Sequence, residues 1–358
     1  MQDRREILVT GGAGFIGAQL SLRFKELYPS HTVVAMDNLK RRGSELNLPR
    51  LAAGGVEFVH GDVRIVEDIP ELKRLSLIVE CSAEPSVLAG FGGSPHYVIE
   101  SNLGGAINCL ELARKTNAAM IFLSTSRVYP VQRLREIRLE EKATRLSVLP
   151  EQSLPGITLA GINESFLLDG ARSLYGATKY AAELFIAEYA AMYGLRAVIN
   201  RCGVIAGPWQ MGRVDQGIMA LWVARHLYKG NLSYIGFGGT GKQVRDMLHV
   251  QDLADLILLQ ADRMEYFQGK TFNVGGGNDN SISLLELTSL CNEVTSVEIP
   301  IHGNAEDRPA DIPYYVTDNA LITSVSGWSP QRDLAQIAED TTRWMFDHLE
   351  SLRPLLGQ

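Results

Sequence analysis

Little in this chain of 358 residues points to a metal centre, a disulfide framework or a membrane segment. Its four cysteines, Cys81, Cys109, Cys202 and Cys291, form no Cys-x-x-Cys pair and have no histidine cluster beside them. That spacing argues against a structural zinc site and predicts buried free thiols in a reducing compartment. No apolar run approaches the ~18 residues of a spanning helix, and the chain passes from Met1-Gln-Asp-Arg-Arg-Glu6 straight into a strand, so a soluble, untargeted, cytoplasmic protein is expected. There is no basic block either. With 34 basic and 41 acidic residues and a net charge of −7, neither nucleic acid nor an anionic membrane is the expected partner. Repeats and low-complexity tracts are absent, and residues 133–172 are the least regular stretch.

What is present is an alternation of strand and helix. The length suggests one large α/β unit with an appended lobe, or two domains. A first apolar run, Glu6-Ile-Leu-Val-Thr10, leads into Gly11-Gly-Ala-Gly14-Phe-Ile-Gly17 and an amphipathic helix. Glycines at this spacing between strand and helix permit a tight turn, close approach of a pyrophosphate to backbone N–H groups, and close packing of helix on sheet. The next strand, Thr32-Val-Val-Ala-Met36, ends in Asp37, where a carboxylate can accept both ribose hydroxyls of an adenosine and repel a 2′-phosphate. NAD is therefore favoured over NADP, although Lys40-Arg41-Arg42 just beyond could hold that phosphate. Asp62, after the strand Val56-Glu-Phe-Val-His60, stands where an adenine amino group could bond, or where it caps the next helix. Two more strands end in Ser82-Ala-Glu-Pro-Ser86 and Ser124-Thr-Ser126, with a helix over residues 97–115 between them. Regular alternation of this kind predicts a doubly wound parallel sheet.

A helix over residues 173–194 carries Tyr175-Gly-Ala-Thr-Lys179. Residues i and i+4 share a helical face, so the phenol and the ammonium point the same way. A fixed cation favours the phenolate, which makes the pair a candidate general acid/base.

Taken together, residues 10–17, Asp37, Gly61-Asp62, Ser124-Thr125 before Val128-Tyr129, and Tyr175-x-x-x-Lys179 resemble the extended short-chain dehydrogenase/reductase family of nucleotide-sugar epimerases and dehydratases, over essentially the whole chain. The resemblance implies a Rossmann-type α/β fold with a smaller mixed α/β lobe for substrate. It makes Tyr175 the acid/base, Lys179 the residue that holds the nicotinamide ribose and lowers the Tyr175 pKa, and Thr125 the hydroxyl beside them. The implied NAD contacts are Gly11, Gly14, Phe15, Ile16, Gly17, Asp37, Asn38, Arg42, Asp62, Val63, Ala83 and Asn102, with Tyr175 and Lys179. For substrate they are Ser86, Thr125, Asn200, Gln210, Gln243, Arg245 and Arg308, the two arginines because guanidinium forks suit a pyrophosphate. Residues 1–203 are expected to form the NAD domain and 204–358 mainly the nucleotide-sugar lobe, with about 237–265 returning to the first.

Two departures narrow the subfamily. Dehydratases follow the Thr125 position with an Asp-Glu pair, whereas Ser126-Arg127 stands here. The long insert between Tyr129 and Tyr175, Ser-Ala-Glu-Pro-Ser-Val (82–87), Asn200-Arg-Cys-Gly203 and Gly241-Lys-Gln-Val-Arg-Asp246 are similar to the CDP-tyvelose (CDP-paratose 2-) epimerases. This implies C2 epimerisation of a nucleotide-diphosphate hexose, CDP-linked by preference, in a homodimer or dimer-based tetramer. A 4-epimerase, a net oxidoreductase and a non-catalytic NAD-binding regulator are the alternatives.

Overall fold

The computed structural model describes residues 5–212 and 216–357; residues 1–4, which bear on the expected lack of targeting, lie outside the described residues. Contacts divide the chain into two compact units. The first takes the chain up to Thr125 with Leu174–Arg201 and Ala254–Phe272, and the second takes Ser126–Ser173, Cys202–Leu253 and the chain from Asn273 onward. The division is finer than the expected boundary after residue 203 with a return over about 237–265. The insert of residues 126–173 goes with the second unit, and the later return to the first begins at Ala254 rather than near 237.

Seven strands form the sheet of the first unit: β1 (Glu6–Thr10), β2 (Thr32–Asp37), β3 (Glu57–His60), β4 (Leu75–Glu80), β5 (Ala119–Thr125), β6 (Ala197–Cys202) and β7 (Thr271–Val274). Their order is β7-β6-β5-β4-β1-β2-β3, and β1 to β5 run parallel. Ile7-Leu-Val9, Val33-Val-Ala-Met36 and Met120-Ile-Phe122 are buried throughout, because helices cover both faces of such a sheet and its strands become continuous apolar runs. Helices α1 (Phe15–Leu27), α2 (Gly105–Thr116) and α3 (Leu174–Tyr193) belong to this unit. Leu8, Met36, Ile78, Met120 and Phe122 pack against Cys109 and Leu110 of α2 and Ala182 and Ile186 of α3, each large apolar side chain stabilising the unit by ~1.5 to 3 kcal/mol. The fold is the expected Rossmann-type α/β. Strand order reverses at β1, so a crevice opens at the carboxyl ends of β1 and β4. All four cysteines are free thiols, and no helix among the described residues is long and apolar enough to cross a membrane.

The second unit centres on a mixed sheet of Val204–Ala206, Val244–His249, Ser281–Ser283 and Tyr314–Tyr315. Helix Leu284–Thr295 opens on a capping box, with Ser283 accepting from the Glu286 N–H and Glu286 accepting from the Ser283 N–H. The insert is more regular than its sequence suggests. It forms two short hairpins, Leu139–Glu141 with Leu146–Val148 and Ile157–Thr158 with Gly161–Ile162. Arg145, from the tip of the first, donates to both Glu286 carboxylate oxygens and to the Ser281 carbonyl at 2.8 Å. Burial works to raise the Glu286 carboxyl, but Arg145, Thr144 and the Ser283 N–H outweigh it and hold it at about 2.

A depressed carboxyl stabilises the fold above its unfolded pKa, and that contribution fades as pH falls from about 4.5 toward 2. Arg145→Ala should therefore lower the melting temperature at neutral pH, and the gap from the parent should narrow steadily on acidification below about pH 4.5. Thermal melts across that range check it; a gap independent of pH would show that Glu286 is not the partner that matters.

Candidate active site

Conformation and space both require glycine in the turn after β1. Gly11 has a φ of +62°, and a Cβ at Gly17 would lie 2.1 Å from the Gly11 carbonyl oxygen. Gly14 caps α1 without any side-chain hydrogen bond, so the first N–H groups of the helix, with its positive dipole end, face the turn. Phe15 and Ile16 begin the helix half-buried. Asp37, ending β2, closes the loop from the other side. Its Oδ2 accepts the Ala13 N–H at 3.1 Å and its Oδ1 the Leu39 N–H at 2.8 Å. Burial pushes the Asp37 carboxyl up, against the opposing pull of these N–H groups. Asn47 donates to the Ala13 carbonyl at 2.9 Å. A cradle that any Cβ would fill, an uncapped helix start and a carboxylate at the end of β2 fit a dinucleotide.

Asn38 donates to Asp62 at 2.9 Å, and Arg64 pairs with the same carboxylate at 2.7 Å. The Arg64 hydrogen bond, working against burial, holds Asp62 at about 2. Val63 is buried against Gly105. Arg42 is exposed in the loop after β2, and Ala83 is exposed just past β4. Asn102 grips that β4 exit loop, accepting the Glu84 N–H at 2.7 Å and donating to the Glu84 carbonyl and to the Thr178 hydroxyl, each at 3.2 Å. In the same loop the Ser86 hydroxyl accepts the Leu88 N–H at 3.1 Å.

On α3, Tyr175, Lys179 and Glu183 stand at i, i+4 and i+8, one stripe of one helix. Tyr175 is half-buried while the other two are buried. Lys179 donates to Glu80 at the end of β4, 3.3 Å away, and its ammonium lies 3.9 Å from the centre of the Phe122 ring. Glu183 accepts a bidentate pair from Arg201 (2.7 to 3.2 Å) and a 2.5 Å bond from the Ser124 hydroxyl. Ser124, with Thr125 beside it, is thereby fixed at the carboxyl end of β5. Asn200 and Gln260 exchange two amide hydrogen bonds of 2.8 Å, which gives Asn200, expected as a substrate contact, a bracing role in β6.

In the second unit, Arg245 and Arg308 each approach Asp311 at 3.2 Å, on different carboxylate oxygens. Arg127 donates to the adjacent Ala310 carbonyl at 3.2 Å. Burial lowers the Arg245 guanidinium to about 10, with Arg127 adding to the effect. Burial also works to raise Asp311, but Arg245, Arg308 and Arg127 hold it below the usual carboxylate range. Gln210 donates to the Ile205 carbonyl at 2.8 Å and Gln243 to the Ile235 carbonyl at 3.1 Å.

Sequence reasoning gave no role to Asn47, Glu80, Glu183, Arg201 or Gln260. Two of them carried a signal. Glu183 continues the i+4 series of Tyr175 and Lys179, and Glu80 is a charge closing the buried apolar run Leu77-Ile-Val79.

Residues 7–275 match the family model described as the NAD dependent epimerase/dehydratase family. The chain is 31% identical to CDP-paratose 2-epimerase of Salmonella typhi, covering 97% of this chain and 100% of that protein. Among solved structures, UDP-glucose 4-epimerase of Thermotoga maritima with UDP-glucose superposes with a TM-score of 0.77 at 26% identity, covering 96% of this chain and 99% of the other. A dTDP-glucose 4,6-dehydratase of Streptomyces venezuelae with NAD bound gives 0.78 at 26% identity, over 98% and 99%. With the glycine cradle, Asp37 and the Tyr175-Lys179 stripe in place, these matches identify the chain as a member of the NAD-dependent epimerase/dehydratase family of nucleotide-sugar enzymes.

Proposed function

We propose that the protein epimerises a nucleotide-diphosphate hexose at C2, with a CDP-sugar as the favoured substrate. The tip of β5, where Thr125 is followed by Ser126 and Arg127 instead of the carboxyl pair that water elimination needs, favours epimerisation over dehydration. The C2 assignment is carried by the long insert and the motifs at 82–87, 200–203 and 241–246 that resemble the CDP-paratose 2-epimerases. Full-length similarity to a CDP-paratose 2-epimerase supports the same reading. When bound, NAD supplies the hydride acceptor for oxidation at C2 and holds that hydride for its return. Tyr175, as phenolate, takes the proton of the C2 hydroxyl and later restores it to the same oxygen. Between these events the sugar carries a ketone at C2, and turning it over before the return inverts the centre. Lys179 favours the phenolate, and Thr125 hydrogen-bonds the oxygen that alternates between alcohol and ketone. Gly11, Gly14, Gly17 and Asp37 hold the dinucleotide, while Arg245 and Arg308 take the substrate's pyrophosphate.

A deuterium placed at sugar C2 should reappear at C2 of the epimerised product, with no solvent deuterium at that carbon. Tyr175→Phe should keep fold and bound cofactor yet lose ~10² to 10⁴-fold in turnover, the usual share of general acid/base catalysis. Washout of the label would mean deprotonation at carbon, inversion at C4 would make the enzyme a 4-epimerase, and loss of water would make it a dehydratase.

Arg245→Ala and Arg308→Ala should each weaken substrate binding by ~1.5 to 3 kcal/mol, the scale of a charge-assisted hydrogen bond, and leave NAD content unchanged. Calorimetry with a CDP-hexose checks this, and unaltered affinity in both variants would leave the arginines to contacts within the chain, Asp311 among them.

A further inference from the structure

Resting on the reading of Tyr175 and Lys179 as the acid/base pair, we propose that Glu80 is a positioning residue of the reaction: it is the counter-ion that keeps the Lys179 ammonium charged inside the protein and fixes where it points. Lys179 is 1% exposed and Glu80 0% exposed, and their charged atoms are 3.3 Å apart. An ammonium so far from water sheds its proton unless a charge of opposite sign lies against it, and a neutral amine cannot stabilise a phenolate one turn away.

Among the described residues the carboxylate paired with the Lys179 ammonium is Glu80; the segment His96–Gly104 also packs on α3 and carries His96, which is exposed, and Glu100, whose charge acts on Arg64. Glu80 pairs in the sheet with Thr10 of β1 and Phe122 of β5. Phe122 gives the ammonium an aromatic face, and neither residue carries a charge. From α2 the facing titratable group is Cys109, a buried thiol pushed up chiefly by burial and further by Glu80, so it stays neutral. On α3 itself the groups one turn either side of Lys179 are Tyr175, which needs the cation, and Glu183, whose carboxylate is committed to Arg201 and Ser124. Burial pushes the Glu80 carboxyl up, against the opposing pull of the Lys179 ammonium and of the Ser82 N–H.

The test reads the Lys179 charge directly. Enzyme carrying its bound cofactor is labelled with ¹³C-lysine, the Lys179 signal is assigned by its loss in Lys179→Arg, and its ε-carbon shift is read near pH 8. The parent should give an ammonium, Glu80→Gln a free amine with turnover down at least ~10-fold, and Glu80→Asp an ammonium with most of the turnover kept. An ammonium persisting in Glu80→Gln overturns the proposal. So does a free amine in the parent, a reading that decides the matter even where Glu80→Gln does not fold. The charge measurement does not depend on which sugar carbon reacts, so failure of the C2 assignment and failure of this inference are separately visible.

Discussion

Charge taken out of water must be answered by charge, and that requirement governs α3. The helix sinks an ammonium and a carboxylate, Lys179 and Glu183, against a sheet made almost wholly of aliphatic side chains. The sheet replies at three strand ends: Glu80 from β4 meets Lys179, while Ser124 from β5 and Arg201 from β6 meet Glu183. Removing one member of such a pair costs far more than the intact pair contributes, because the survivor is left buried and uncompensated. The arrangement accordingly adds little to net stability and a great deal to definition. It fixes the rotation of α3 about its axis, and with it the direction of Tyr175.

The sheet was legible because buried parallel strands are continuous apolar runs and the glycine turn has a steric signature. Gly11 and Gly17 are demanded by a positive φ and by a backbone contact, both implicit in their spacing. The Tyr175-Lys179 face followed from helical period alone. Partners from distant sequence were another matter. Nothing near Glu80 announces Lys179, ninety-nine positions later, and nothing near Asn47 announces that its amide holds the Ala13 carbonyl. Nor does the sequence around Asn200 and Asn102, both expected as ligand contacts, announce that their amides also brace Gln260 and the Glu84 loop.

The insert escaped for a similar reason. Its strands run to two or three residues, too short for any period to emerge. Its place in the second unit is held by partners from distant sequence: Arg145 on Glu286 of the capping box of helix Leu284–Thr295, the Leu146 N–H on the Lys242 carbonyl and the Ile162 N–H on the Val316 carbonyl among them. A salt bridge between segments about 140 residues apart leaves no local trace in either.

Asp37 carries a consequence for anyone wishing to redesign this protein. The carboxylate that stands where the adenosine ribose is expected also fastens the glycine turn, through the Ala13 N–H on one oxygen, and shapes the start of the next loop, through the Leu39 N–H on the other. A substitution meant only to admit a 2′-phosphate would loosen the turn that receives the pyrophosphate. Changing dinucleotide preference is thus a problem of at least two positions, one that alters the charge and one that re-anchors Ala13, with the neighbouring Asn47 amide the existing hold from which to build.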